Sequence, residues 1–357
     1  LGIRLIISGG GTGGHIFPAI AIAHAIRSAA PDAEILFVGA NGKMEMEKVP
    51  QAGYPIVGLN IAGIERSFSL KNLMFPVKLM GSLWQSFSII RSHRPQVVVG
   101  VGGFASGPIM LAAQIRGIPT LIQEQNSHAG ITNRWLGRRA GRICVAYSGM
   151  GRYFPEERIL ITGNPVRKDI LDLAGKREEA QRFFSLDPSK KTLLIIGGSL
   201  GARSVNKAVE AGLPAFEKAG IQLIWQTGKS YSSSVSRDFA HPFITRMDLA
   251  YEAADVVLSR AGASSISELC IAGKASILVP FPFAAEDHQT SNARAMVEAG
   301  AAQLVADNEA SATLVDAALA LLADPARCAQ MAAQARSLAR TDADAVIASE
   351  VLKLARG

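Results

Sequence analysis

His15 closes a glycine run, Ser8-Gly9-Gly10-Gly11-Thr12-Gly13-Gly14, and is followed by Ile16-Phe17-Pro18. Glycines without Cβ let backbone N–H groups close on an anion, and the start of a helix favours negative charge there. The run follows an apolar strand, Ile3 to Ile7, and opens onto a helix expected from about Pro18 to Arg27, since proline suits a first turn. A phosphate site is the first chemistry these residues suggest. His15 borders it, and imidazole titrates near neutral pH.

The same arrangement returns half a chain later. Leu193 to Ile196 runs into Gly197-Gly198-Ser199-Leu200-Gly201-Ala202-Arg203, with a helix from about Ser204. A third glycine loop, Gly100 to Pro108, contains Gly102 and Gly103.

Several chemistries can be weighed on these residues. Gly9-x-Gly11-x-x-Gly14 satisfies the dinucleotide pattern, but the second strand ends Phe37-Val38-Gly39-Ala40-Asn41, without the acid that would hold a ribose. No lysine follows the glycines in Walker fashion, so a P-loop ATPase or kinase is excluded too. Gly197-Gly198-Ser199-Leu200-Gly201 also reads as a nucleophile elbow, which Asp255 or Asp287 and His288 would complete as a hydrolase triad. The repeated glycine architecture weighs against it, because such hydrolases have one sheet and one elbow. Ser265-Ile266-Ser267-Glu268 has two readings. It is a capping box with Ser265 at the N-cap and Glu268 at N3, or a carboxylate accepting both hydroxyls of a ribose. Asp342-Ala343-Asp344 has the spacing of a metal pair but sits in an alanine-rich helical stretch, and reads as a solvated helix start. No metal site is expected. His24, inside the first helix, reads as structural.

The elements that must position these residues follow from the apolar pattern. Runs of aliphatic residues at 35–38, 97–99, 120–122, 143–145, 193–196, 223–225, 256–258 and 277–279 are continuous rather than alternating. That marks strands buried on both faces of a parallel sheet, with helical stretches between them as βαβ units require. The fold class is α/β, with two Rossmann-like domains. The expected domains are 1–162, 163–340 and a C-terminal helix, 341–357, packing back on the first. The chain has 357 residues, more than one ordinary core, and a formal charge of +7. The excess points to anionic partners. Aromatics are 6%, with no basic stripe among stacking residues, so nucleic acid is not expected. Three scattered cysteines suggest a reduced, cytoplasmic protein, and no signal peptide is visible. The uncharged stretch Pro95 to Ile115 is broken by glycines and Pro108, so it reads as strand, loop and helix rather than a membrane span. Phe68 to Ile90 is apolar on several sides, with Lys71, Lys78 and Arg91 nearby. It is either a core helix kinked at Pro76 or a patch dipping into an anionic bilayer surface.

Taken together, Gly9 to His15, Gly102 to Pro108, Gln123-Glu124-Gln125-Asn126, Gly163 to Arg167, Gly197 to Arg203, Arg260 to Ala263 and Asp287-His288-Gln289 resemble, in order and along nearly the whole chain, a GT-B glycosyltransferase family. It is the family of UDP-N-acetylglucosamine-dependent transferases that glycosylate lipid I in peptidoglycan synthesis. The resemblance implies two Rossmann-like domains facing across a cleft, UDP-GlcNAc mainly in the second, and no cofactor or obligatory metal. It implies the acceptor undecaprenyl-diphosphate-MurNAc-pentapeptide, inversion at the anomeric carbon and lipid II as product. The protein would lie peripherally on the cytoplasmic face of the plasma membrane, with partners among cell-wall synthesis and division proteins.

Residue by residue, the resemblance implies that Ser199 and its loop contact the donor phosphates and Ile244 the uracil through its backbone. Glu268 would hold the ribose beside Ala263 and Ser264, and Gln289 the sugar. Arg167, Asn126, Thr12, Gly13 and Gly14 would complete the donor site. His15 is then the candidate base, with Gly11, Gly102 and Gly103 at the acceptor's diphosphate. Leu73, Phe75, Leu79 and Trp84 become the membrane patch. The chain departs from the family at Thr290, where a second glutamine is common, and at Leu200, where a polar residue is common. Within the same fold, a diacylglycerol glycosyltransferase or a UDP-GlcNAc 2-epimerase is the alternative.

Overall fold

The apolar runs become strands whose successive side chains enter different cores, which is why they do not alternate with polar residues. The structure, a computed structural model, describes residues 2–61, 75–198, 201–229, 231, 238–284 and 287–357, leaving aside the side chains of residues 75 and 76. The chain divides into two compact units, Leu1–Val166 with Asp342–Gly357, and Arg167–Thr341.

The first unit runs β1 (Arg4–Ser8), α1 (Gly13–Ala29), β2 (Glu34–Ala40), α2 (Glu45–Gln51), β3 (Ile56–Leu59), α3 (Phe75–His93), β4 (Val97–Gly100) and α4 (Ser106–Ile115). It continues through β5 (Thr120–Glu124), α5 (Ile131–Gly137), β6 (Arg142–Val145) and β7 (Ile159–Ile161). These seven strands form one sheet in the order β3-β2-β1-β4-β5-β6-β7, paired in parallel throughout. In β1, Leu5 and Ile7 join the core under α1, while Ile6 joins the core under α4. The last helix, α14 (Ala343–Arg356), returns to this unit. Its Ile347, Ala348, Val351 and Leu352 pack in the core with Ile22 and Ile26 of α1, and Glu350 pairs with Arg142 of β6 at 2.8 Å.

The second unit runs α6 (Lys168–Leu171), α7 (Arg177–Phe183), β8 (Thr192–Ile196), α8 (Arg203–Lys218), β9 (Gln222–Gln226), β10 (Ala240–His241) and α9 (Met247–Ala253). Next come β11 (Val256–Ser259), α10 (Ala263–Ala272), β12 (Ala275–Leu278), α11 (His288–Glu298), β13 (Ala302–Leu304), α12 (Ala310–Leu322) and α13 (Pro325–Ser337). Its six strands are again parallel, in the order β10-β9-β8-β11-β12-β13. Leu194 and Ile196 of β8 pack toward α9 and α10; Leu193 and Ile195 pack toward α8 and α12.

Strand order reverses between β1 and β4 in the first unit and between β8 and β11 in the second. In such sheets ligands bind outside the carboxyl ends of the strands at that reversal. All three glycine loops leave strands that border a reversal.

The fold departs from expectation in two places. Helix α1 starts at Gly13, more than a turn before Pro18. Pro18 therefore lies inside it and offers no N–H to the Gly14 carbonyl. Helix α3 is described from Phe75, and the kink expected at Pro76 rests on the turn before it, outside the described residues. Strands β3, β7, β10 and β13 answer to none of the apolar runs picked out above, and each is a sheet edge.

Candidate active site

In the first unit, the loops that follow β1 and β4 press against each other. A Cβ on Gly103 would lie 2.3 Å from the Gly10 carbonyl oxygen, and Gly103 itself holds φ of 80°. Only glycine meets both demands. His15, half-buried in the first turn of α1, lays its ring along Gly102, where a Cβ would come within 2.8 Å of Cδ2. Its Nδ1 is 3.1 Å from Thr12 Oγ1. Thr12 is the N-cap but makes no side-chain cap bond, so its hydroxyl serves the imidazole instead.

Glu45, fully buried on α2, is an acid that the residues at the end of β2 give no sign of. Its carboxylate accepts the N–H of Gly11 at 3.0 Å and the N–H of Ala40 at 3.0 Å. A Cβ on Gly10 would sit 2.1 Å from its Oε1 and one on Gly39 2.5 Å from its Cγ, so these glycines make room for an internal anion. The Gly11 N–H expected to meet a substrate phosphate is therefore already engaged. Any anion at this loop must be held by other groups.

Asn126 follows β5. Its backbone N–H and Nδ2 both donate to Glu124 Oε1, at 3.1 and 3.3 Å, while Oε2 accepts from Gly130 N and Asn133 Nδ2 at 3.2 and 2.8 Å. Burial pushes the Glu124 carboxyl above the ordinary range, against the pull of these donors. Glu124 fixes the Asn126 turn, a role the sequence reading did not assign it.

In the second unit, Ser199 and Leu200 lie outside the described residues. Gly198 and Gly201 each hold φ of 82°, and a Cβ on Gly201 would meet the Thr227 carbonyl at 2.2 Å. The loop leads into α8, whose start carries no side-chain cap. Gln226, at the end of β9, donates from Nε2 to the Gly198 carbonyl at 3.1 Å and accepts the Ile244 N–H at 3.0 Å. One amide thus ties the glycine loop to the Ile244 segment. It engages the Ile244 N–H, so a backbone contact from Ile244 to a base would use its carbonyl.

Helix α10 begins at Ala263 with Gly262 as N-cap, so Ser265 is not the cap and Glu268 is not at N3. The capping reading of Ser265 to Glu268 is corrected: Glu268 lies past the first turn, where it can reach no cap N–H. Its Oε1 accepts from Arg167 Nε at 3.3 Å and its Oε2 from the Tyr251 hydroxyl at 3.0 Å. Burial raises the Glu268 carboxyl above its ordinary value, while the Arg167 guanidinium pulls the other way. Beside Ala263, the Ser264 Oγ is buried without a hydrogen-bond partner, an unusual cost unless a ligand supplies one. Gln289, on α11, accepts the Phe281 N–H on its Oε1 at 3.0 Å. The hydrolase triad fares badly with Asp255, which precedes β11 and so lies at the opposite strand end from the glycine loop. Its carboxylate is engaged by the Thr192 N–H at 2.7 Å and by Arg177 at 3.2 Å.

Among the described residues no group of three or more His, Cys, Asp or Glu could hold a metal ion, and Asp342 and Asp344 flank the start of α14. Among the described residues no helix is long and apolar enough to cross a membrane. Helix α3 divides its apolar residues: Leu83, Phe87, Ile89 and Ile90 pack on the core beside the buried Ser82 and Ser86, each serine donating to a carbonyl of its own helix, while Val77, Leu79, Met80 and Trp84 face outward. Trp84 is 75% exposed and Met80 73%. Leu73 and the Phe75 side chain lie outside the description.

Residues 5–145 match the glycosyltransferase family 28 N-terminal domain, and residues 192–347 match the family's C-terminal domain. The chain is 50% identical to the UDP-N-acetylglucosamine–N-acetylmuramyl-(pentapeptide) pyrophosphoryl-undecaprenol N-acetylglucosamine transferase of Parabacteroides distasonis, covering 98% of each. It is 52% identical to the enzyme of the same name from Bacteroides fragilis, over 99% of this chain and 96% of that one. Among solved structures it is similar to MurG of Acinetobacter baumannii, with a TM-score of 0.75 at 27% identity over 98% of this chain and 99% of that one.

Proposed function

This chain belongs to glycosyltransferase family 28, and from that we propose that it transfers N-acetylglucosamine from UDP-GlcNAc to lipid I, with inversion, to form lipid II. The observation that carries the donor half is the Glu268 carboxylate, pinned on both oxygens at the reversal of the second sheet beside an unpartnered Ser264 hydroxyl. A carboxylate so held accepts hydrogen bonds from a pair of ribose hydroxyls. Gly198 and the uncapped start of α8 present backbone N–H groups to the diphosphate, with Ser199 in the same loop and the Gly201 N–H spent on the Gly198 carbonyl at 3.1 Å.

In the reaction the acceptor's sugar hydroxyl attacks the anomeric carbon from the face opposite the UDP. The new glycosidic C–O bond forms as the bond to the β-phosphate oxygen breaks, and the electron pair leaves on UDP. The hydroxyl proton goes to His15. Nδ1 faces Thr12 Oγ1 at 3.1 Å, and this reading takes the tautomer that keeps its proton there, which makes Nε2 the basic nitrogen. The helix start and glycine N–H groups stabilise the charge growing on the leaving phosphate. In this reading Arg167, Ile244, Ala263 and Gln289 of the second unit line the donor, while Gly102 and Gly103 shape the acceptor loop of the first.

The outward apolar face of α3, with Lys78 beside it, supports docking on an anionic membrane surface, where lipid I resides. It disfavours a soluble UDP-GlcNAc 2-epimerase, which has no use for such a face. Transfer of labelled GlcNAc to a short-chain lipid I analogue, with and without chelator, tests the assignment. Product formed equally in both supports it; no product, or epimerised UDP-sugar instead, overturns it.

A further inference from the structure

Tyr251 lies on α9, an element that contributes nothing to the glycine loops, and its side chain is fully buried. Its hydroxyl reaches out of the core of the second unit and donates to Glu268 Oε2. Arg167, at the N-cap of α6, takes the other oxygen and is shared with Asp169 at 4.0 Å. One donor on each oxygen stops the carboxylate from rotating about its last torsion. Each oxygen still keeps acceptor capacity, because an ionised carboxylate has about four lone-pair positions and two are used. The remaining lone pairs therefore point in fixed directions.

We propose that Tyr251 is a positioning residue that aims the free lone pairs of Glu268 at the two hydroxyls of the donor's ribose, and so sets the preference for ribonucleotide over deoxyribonucleotide. The proposal rests on the reading of Glu268 as the ribose acceptor. A salt bridge alone would hold Glu268 in place but leave its plane free to turn. The phenol, fixed by the surrounding core, supplies the second point that defines the plane.

The test is the affinity of the full-length protein for UDP and for 2′-deoxy-UDP, measured by calorimetry for wild type, Tyr251→Phe and Glu268→Gln. Tyr251→Phe keeps the ring and removes only the hydroxyl. It should weaken UDP roughly tenfold, the scale of a hydrogen bond to a charged group, and weaken 2′-deoxy-UDP, which keeps only the 3′-hydroxyl, by clearly less. The KM for UDP-GlcNAc should rise while kcat holds. If the variant is less stable, the shift in melting temperature produced by each ligand reads the same ratio. Equal loss for both ligands, or no loss, makes Tyr251 structural and overturns the proposal alone, provided Glu268→Gln abolishes the discrimination. Discrimination that survives Glu268→Gln overturns the ribose role of Glu268 and the proposal with it.

Discussion

Glu268 is pulled in two directions, since burial favours its neutral form and Arg167 its charged form, and burial prevails. Its titration therefore starts at a higher pH than that of an ordinary glutamate. Two consequences have opposite sign. Protonation removes the acceptor, so affinity for uridine, which has no titrating phosphate, should fall as pH drops through the raised value. Folding responds the other way: a carboxyl whose folded pKa exceeds its unfolded one costs stability above both. That cost is relieved as pH falls from the folded toward the unfolded value. Glu268→Gln should flatten both profiles and weaken uridine about tenfold or more at neutral pH; uridine titrations over pH 4 to 8 check it. His15 makes a different prediction. His15→Ala should leave the Kd for UDP-GlcNAc nearly unchanged while single-turnover rates fall by about 10²–10⁴, the contribution of a general base. Wild-type rates would remove His15 from the chemistry. The spacing of Ser265 and Glu268 misled because it fits a capping box equally well; only the actual helix start, one residue past Gly262, separates the readings. Glu45 was invisible for a related reason. It lies on the next helix, and only the fold turns it back under the glycines.

At the scale of elements, the sequence shows what is buried on both sides and hides what is not. Central strands such as Val97–Gly100 and Thr192–Ile196 are buried throughout and read as unbroken apolar runs. The edge strands Ile159–Ile161 and Ala240–His241 contain no fully buried residue, and Ile56–Leu59 has only Leu59. An edge strand has a neighbour on one side only, so its apolar demand is weaker and its pattern is short. Helix α3 illustrates the converse. Its apolar residues suited a core helix as well as a surface patch, and the packing puts serines inward and Trp84 outward. Trp84→Glu should abolish co-sedimentation with anionic phospholipid vesicles, yet leave transfer to a water-soluble acceptor analogue within about twofold, since an exposed side chain contributes little to stability. Loss of both would mean that the face is part of the fold.

At the scale of the whole molecule, the α/β class and the twin glycine architecture were legible because parallel sheets repeat one unit. Ile347 is fully buried among Ile22 and Ile26 in the first unit's core. Ile347→Ala should cost about 2–5 kcal/mol. That loss should appear as earlier hydrogen exchange in β1 and α1, with the strands of the second unit unaffected. The returning helix also sets a timetable for synthesis. The strands of the first unit leave the ribosome early, but the segment that covers one side of their core is translated only after all 175 residues of Arg167–Thr341. At roughly 5–20 residues per second that is about 9–35 s. During it the apolar sides of Leu5, Ile22 and Ile26 await their cover, while the second unit, continuous in sequence, can finish folding. The nascent chain therefore carries an uncovered apolar face through that interval, and the unit that carries the outward face of α3 is the last to be completed.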